Sequence, residues 1–284
     1  MWPPRIPLDA FPDVVLHADE LAVKRHAQYT AAKGGDTDAA KILVSNFANA
    51  GRLSELSSLL GSRPVALLPV HALESEGVNE IPVALAELLS EWLSLPIVDV
   101  IVQSNTVGHT GASGFQGLAN QALFEGQVEP ARDYLLVDGF IGQGGTLANL
   151  IGYVEAAGGH AVGATVLTGK PYSAKLAPDR AQIEALRGKH GRDFENWWGE
   201  RFGFGFDCLT RSEARYLENS PDAQAIRDRL VEAGLKGGSG SSSGGPEPLV
   251  SGRQLTTAVV GSPPWTAWWL QRQIECQKWV FQGV

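Results

Sequence analysis

Apolar positions along this chain follow two rhythms. In four short runs nearly every position is apolar: VALLPV (65–70), PIVDVIVQ (96–103), YLLVDG (134–139) and HAVGATVLTG (160–169). Runs of that length, rich in Val, Leu and Ile on both faces, predict strands buried on both sides. Between them apolar residues recur every third or fourth position, as in IPVALAELLSEWL (81–93) and TLANLIGYVEAAGG (146–159), which predicts helices. Two further helical patterns come first, over 19–33 and 37–60, the second broken at Gly51. From Lys170 onward the rhythm is helical again. It includes a capping-box spelling at Thr210–Glu213 and the stretch DAQAIRDRLVEAG. The expected fold is α/β: a parallel sheet with helices on both faces, right-handed crossovers, and helical N- and C-terminal additions.

Two segments break the alternation. SNTVGHTGASGFQGLANQALFEGQVEPARD (104–133) is too long and too polar in its first half for a simple connection, which points to a functional loop. KGGSGSSSGGPEP (236–248) has the composition of a flexible linker, natural or a fusion scar. Beyond it lie Trp265, Trp268, Trp269 and Trp279, in a tail too short to fold alone. The tail reads as a segment docking back, as an unstructured extension, or as a membrane or partner contact. No chemistry is assigned to it.

Composition narrows the function classes. Of 284 residues 44% are hydrophobic and 19% charged, which suits a folded protein. The net charge of −8 has no basic stripe to offset it and argues against nucleic acid as a partner. Cys208 and Cys276 form no CxxC pair, so the expectation is a reducing cytoplasm without disulfides. Six scattered histidines (17, 26, 71, 109, 160, 190) show no metal-binding spacing, and no metal site built by protein alone is expected. The N-terminus lacks the apolar run of a signal peptide, and no window approaches the roughly 20 apolar residues of a membrane span. A soluble protein without membrane contact is the expectation.

The chemistry concentrates in YLLVDGFIGQGGT (134–146), a strand, an acid and a glycine-rich turn ahead of a helix. Glycines at the end of a parallel strand let the free N–H groups of the following helix approach an anion. A Walker A loop needs a lysine before Thr146, and a dinucleotide fingerprint starting at Gly142 needs glycine where Leu147 stands; neither is met. An acid four residues ahead of the turn suits sugar hydroxyls, with the turn holding a phosphate on the same ribose.

LLVDGFIGQGGT resembles the phosphoribosyl diphosphate (PRPP) signature of type I phosphoribosyltransferases, over roughly residues 62–175. The resemblance implies that Asp138 binds ribose and that Gly142, Gln143, Gly144, Gly145 and Thr146 hold the 5′-phosphate. It places a pyrophosphate loop at 69–79, with His71, Ala72 and Gly77, and a mobile lid at 104–127, where His109 would close on the transition state. Lys170 would meet the base, or else is a solvated lysine starting a loop. Mg²⁺ would arrive with the diphosphate, and a homodimer is implied. The implied organisation is a helical extension or hood (1–61), the core (62–175), a C-terminal helical segment (176–235), the linker (236–248) and the Trp-rich tail (249–284).

The resemblance implies transfer of ribose 5-phosphate from PRPP to a nitrogenous, purine-like acceptor, with Asp138 and His109 as the catalytic residues. Gly139 stands where the family carries a second acid, and Gly142 where some purine-using members carry another. Both departures keep a rival open, a non-catalytic PRPP or nucleotide sensor. A third reading is an α/β domain for some other sugar phosphate. Elsewhere bland readings compete with functional ones. Glu74 and Glu76 are solvated loop residues or pyrophosphate contacts. Trp197 and Trp198 with Phe202, Phe204 and Phe206 are packing or a stacking shelf. Cys208 is a buried thiol, and Lys24, Arg25 and His26 are a solvated or dimer-contact face.

Overall fold

A four-stranded, fully parallel sheet carries the fold of this computed structural model, which describes residues 4–9, 11–74, 77–106 and 114–238. The strands are β1 (Val15–Ala18), β2 (Val65–Pro69), β3 (Leu73–Glu74), β4 (Gly77–Val78), β5 (Val102–Gln103), β6 (Phe124–Glu125), β7 (Asp133–Ile141) and β8 (His160–Gly169). The helices are α1 (Glu20–Lys24), α2 (Tyr29–Lys33), α3 (Thr37–Phe47), α4 (Leu53–Leu60), α5 (Ile81–Leu93), α6 (Gly114–Ala119), α7 (Gly145–Ala156), α8 (Arg180–His190), α9 (Arg192–Phe202), α10 (Arg211–Glu218) and α11 (Ala223–Gly238). The main sheet has the order β1-β8-β7-β2, and β3-β4 and β5-β6 are small antiparallel ribbons.

Alternation along β7 explains the layers. Tyr134 and Leu136 face a core shared with Leu147, Leu150, Ile151 and Val154 of α7. Leu135 and Val137 face the opposite core, with Leu43 and Val44 of α3 and Leu85 and Leu89 of α5. A strand buried on both faces must be apolar at both parities, which is why β2 reads VALLP without a polar break. A third core joins α8 to α11 with Phe115 and Leu118 of α6, centred on Phe194, Trp198, Phe202 and Phe206. The aromatic cluster is therefore packing. Cys208 sits in the same core, and burial pushes its thiol up to about 11, so it is a poor nucleophile.

Several expectations change. The N-terminal 61 residues are not wholly helical: β1 joins the sheet beside β8, with Val15 opposite Thr165. The helix expected over 19–33 is two short helices, α1 and α2. The strand expected at 96–103 reduces to two isolated parallel bridges, Ile97 to Leu67 and Val102 to His71, and to β5, paired with β6. The linker begins later than its composition implies, because α11 continues to Gly238. One compact unit ends at Gly240, so the C-terminal helices belong with the sheet. The rest of the linker and the Trp-rich tail lie outside the described residues. Among the described residues no helix is long and apolar enough to cross a membrane.

His17 on β1 ties the new edge strand to the sheet. Its Nδ1 accepts the Asn49 N–H at 3.0 Å, so the proton sits on Nε2, 3.1 Å from Thr165 Oγ1, which in turn donates to Val15 O. Burial lowers its pKa from 6.5 to about 4. Above pH 6.5 the ring is neutral in both folded and unfolded chains; between 6.5 and 4 only the unfolded chain takes up the proton. This contribution is thus fully present above pH 6.5 and is lost as pH falls through that window, by about 2–3 kcal/mol. Urea unfolding between pH 7 and 4.5 should show that loss, and His17→Asn should flatten it. Identical slopes for the two proteins would contradict the assignment.

Candidate functional site

The chain reverses direction across the sheet between β2 and β7. After β2 it runs through α5 to the outer side of β2, where Val98 N–H donates to Leu67 O, and then returns to place β7 on the inner side. Open parallel sheets bind ligands at such a reversal, outside the carboxyl ends of the strands, because the two following connections diverge and leave a crevice. Here those connections are the segment from Val70 to Asn79 after β2 and the GQGGT turn after β7. The Val70 N–H donates to Val137 O at 2.8 Å, which anchors the first connection one residue from Asp138.

Asp138 is 8% exposed, and its Oδ1 accepts the N–H of Gly139 at 2.6 Å. By alternation it lies on the α7 side of the sheet. The turn that follows ends at Gly144, the N-cap of α7, at φ +85°, a left-handed conformation that favours glycine. No side chain caps α7. The amides of Gly145, Thr146 and Leu147 have no intrahelical acceptor, as at any helix start, and the helix dipole adds partial positive charge there. Gly142, Gln143, Gly145 and Thr146 are part-exposed, Gly144 buried. An acid beside an uncapped helix start can bind hydroxyls and an anion of one small ligand.

Gly139 has a packing reason. By alternation it faces the α5 side, where a Cβ would stand 3.2 Å from Cγ2 and 3.3 Å from Cβ of Ile81, at the start of α5. A side chain there would need Ile81 to give by a few tenths of an ångström. Gly139→Asp should therefore cost about 1–3 kcal/mol of stability from overpacking, read by urea unfolding. An unchanged midpoint would show that α5 yields.

Other predicted residues are placed as follows. His71 is buried, and its backbone bridges Val102; the Ala72 carbonyl accepts the Asn79 N–H at 3.0 Å. Gly77 begins β4, where a Cβ would stand 2.5 Å from the Gly34 carbonyl oxygen. The predicted pyrophosphate loop is thus a small hairpin at the crevice, pinned against the α2–α3 turn. Lys170 N–H donates to Ile141 O, which puts this residue beside the glycine turn. Its ammonium is 2.9 Å from Glu20, whose hydrogen bond raises the lysine's pKa. His109 and Glu76 lie outside the described residues.

Sequence reasoning took Lys24 for a solvated or dimer-contact residue and did not single out Glu20 or Arg5. Lys24 bonds Glu20 at 2.6 Å and stands 4.2 Å over the Phe140 ring, so α1 overhangs the end of β7. The hydrogen bond from Lys24, with the one from Lys170, lowers the Glu20 pKa. A second cluster comes from the N-terminal segment and the C-terminal helices. The buried Arg5 guanidinium contacts both oxygens of Glu213 at 2.6 and 2.9 Å, Asn149 at 2.5 Å and Gln121 at 2.8 Å. The capping box at Thr210 and Glu213 is present as its spelling predicts. That spelling carries no sign that it would meet the glycine turn.

No protein-family model matches the chain. It is 37% identical over 229 residues to Protein TraN of Escherichia coli, covering 81% of this chain and 51% of that protein. It is 36% identical over 146 residues to an uncharacterized protein of Haemophilus influenzae, covering 51% of this chain and 33% of that one. The chain thus spans about half the length of the first relative and a third of the second.

Proposed function

We propose that this protein binds PRPP in the crevice between β2 and β7 and transfers its ribose 5-phosphate to a nitrogenous acceptor, releasing pyrophosphate. One observation carries the reading: Asp138 and the uncapped start of α7 flank a single glycine turn at the point where the sheet reverses. The turn's amides hold the 5′-phosphate, and Asp138 accepts from the ribose hydroxyls. The hairpin after β2 lies where the diphosphate would extend. The acceptor nitrogen attacks C1 as the C1–O bond to pyrophosphate breaks, and the nitrogen's proton leaves to solvent or a base. The protein contributes positioning and stabilisation of the charge that develops on the ribose ring.

Mg²⁺ supplies neutralisation of the diphosphate when bound. It would be carried on the ligand's oxygens and on water, as Mg²⁺ prefers. Lys170 and Lys24 bear on the acceptor side, and the acceptor is purine-like or another nitrogenous ring. We place the protein in the cytoplasm, as a homodimer.

A second reading is favoured by Gly139. Glycine at 139, packed close to Ile81 of α5, supplies no second acid, so the ribose would lose one charge-assisted hydrogen bond, and a non-catalytic PRPP sensor would look the same. Calorimetric PRPP binding with Mg²⁺, run beside pyrophosphate release against a panel of bases, separates the two. Release with one acceptor supports the enzyme; binding without release supports the sensor. Absence of both overturns the PRPP reading.

A further inference from the structure

The geometry points to Ser173 and Thr210, from outside the strand–turn–helix unit, as positioning residues that hold the glycine turn in its anion-binding form; this rests on the phosphate-binding reading above. Two consecutive carbonyls of the turn are held from behind. Ser173 Oγ donates to Gly142 O at 2.6 Å, and Thr210 Oγ1 donates to Gln143 O at 2.6 Å. Each hydroxyl has one proton, and a carbonyl only accepts, so both donors are committed to the turn. Ser173 then accepts from Ser212 Oγ at 2.8 Å, and Thr210 Oγ1 accepts from the Glu213 N–H at 3.1 Å. Every proton in this chain has one direction, and it ends on the turn.

Anchoring the carbonyls of successive peptides sets the planes of those peptides, and thus where their amides point. The amides following Gly142 and Gln143 belong to Gln143 and Gly144. Leu176 closes the same side: a Cβ on Gly144 would stand 2.5 Å from its Cδ2. At Gly145 a Cβ would stand 2.7 Å from Glu213 Oε1, and that carboxylate is neutralised by Arg5 and by the Thr210 N–H. An acid this near would repel a phosphate, and its double engagement removes that obstacle. Thr210 of the C-terminal helical segment and Ser173 just after β8 are therefore part of the site's support, reaching the turn across 67 and 31 residues of sequence.

The test uses the full chain with Thr210→Val, Thr210→Ser and Ser173→Ala. Thr210→Val keeps the shape but removes both the bond to the turn and the helix cap. Ser173→Ala takes no part in the cap, and so separates positioning from α10 stability. Two readouts are made: amide hydrogen exchange over 142–147 without ligand, and calorimetric binding of PRPP with Mg²⁺. Thr210→Val and Ser173→Ala should each speed exchange in the turn and weaken PRPP binding about tenfold, while Thr210→Ser restores both. Unchanged exchange and affinity in Ser173→Ala and Thr210→Val would overturn the inference. If the unaltered protein binds no PRPP, the ribose-phosphate reading fails by itself, and the exchange readout still decides whether the hydroxyls hold the turn.

Discussion

Replacing Arg5 by methionine is expected to destabilise the folded protein by about 3–5 kcal/mol. The guanidinium is fully buried, faces both oxygens of Glu213 and also bonds Gln121 and Asn149. Methionine keeps much of the volume, so the loss is electrostatic. It leaves the Glu213 carboxylate, 2% exposed, without its cation, and strips donors from two buried amide oxygens. Removing one partner of a buried pair costs far more than the pair contributes over an apolar replacement. The double variant Arg5→Met with Glu213→Leu should therefore recover part of the loss, although it also forfeits half of the α10 capping box. Urea unfolding of the three proteins measures this. A single-variant loss under about 1 kcal/mol would show that water or rearrangement satisfies Glu213, contrary to the packing seen.

Asp138→Asn is expected to weaken PRPP binding by about 10- to 100-fold with little change in stability. Asparagine retains an oxygen that can accept the Gly139 N–H, so the bond of 2.6 Å that the strand end makes survives. What disappears is the charge. A hydrogen bond to a charged group contributes about 1.5–3 kcal/mol, and each 1.4 kcal/mol is tenfold in affinity. With glycine at 139 supplying no second acid, the proposed ribose contact would rest on Asp138 more than it would in an acidic pair. Calorimetry on variant and parent decides the point. Equal affinities, with the parent binding well, would remove Asp138 from the ribose site.

The two predictions probe different connections to one turn. Arg5 and Glu213 brace the start of α7, and Asp138 stands at the end of the preceding strand, where the proposed ribose would lie. Loss of the brace should also lower PRPP affinity, because Arg5 lies 3.4 Å from the Gly145 carbonyl.

Much of the architecture was legible in the chain. Residues 81–93 and 160–169 form α5 and β8 with the bounds their patterns imply, and β2 occupies 65–69. The reason is local: burial on two faces demands apolar residues at both parities, and a helix on a sheet demands them every third or fourth position. The acid and the glycine turn were legible for the same reason, since strand end, turn and helix start are contiguous. Partners were not legible. The pairing of β1 with β8 joins residues 150 apart, the Thr210 bond to the turn spans 67, and Arg5 reaches Glu213 across 208. Local preference carries no signal of which distant group will complete a contact, and the same gap explains Gly139. By itself the sequence determined the α/β class and the strand, turn and helix around Asp138; only the tertiary structure decided that β1 joins the sheet, that α5 packs against Gly139, and that the Ser173 and Thr210 hydroxyls hold the turn, because such contacts join residues far apart in the chain.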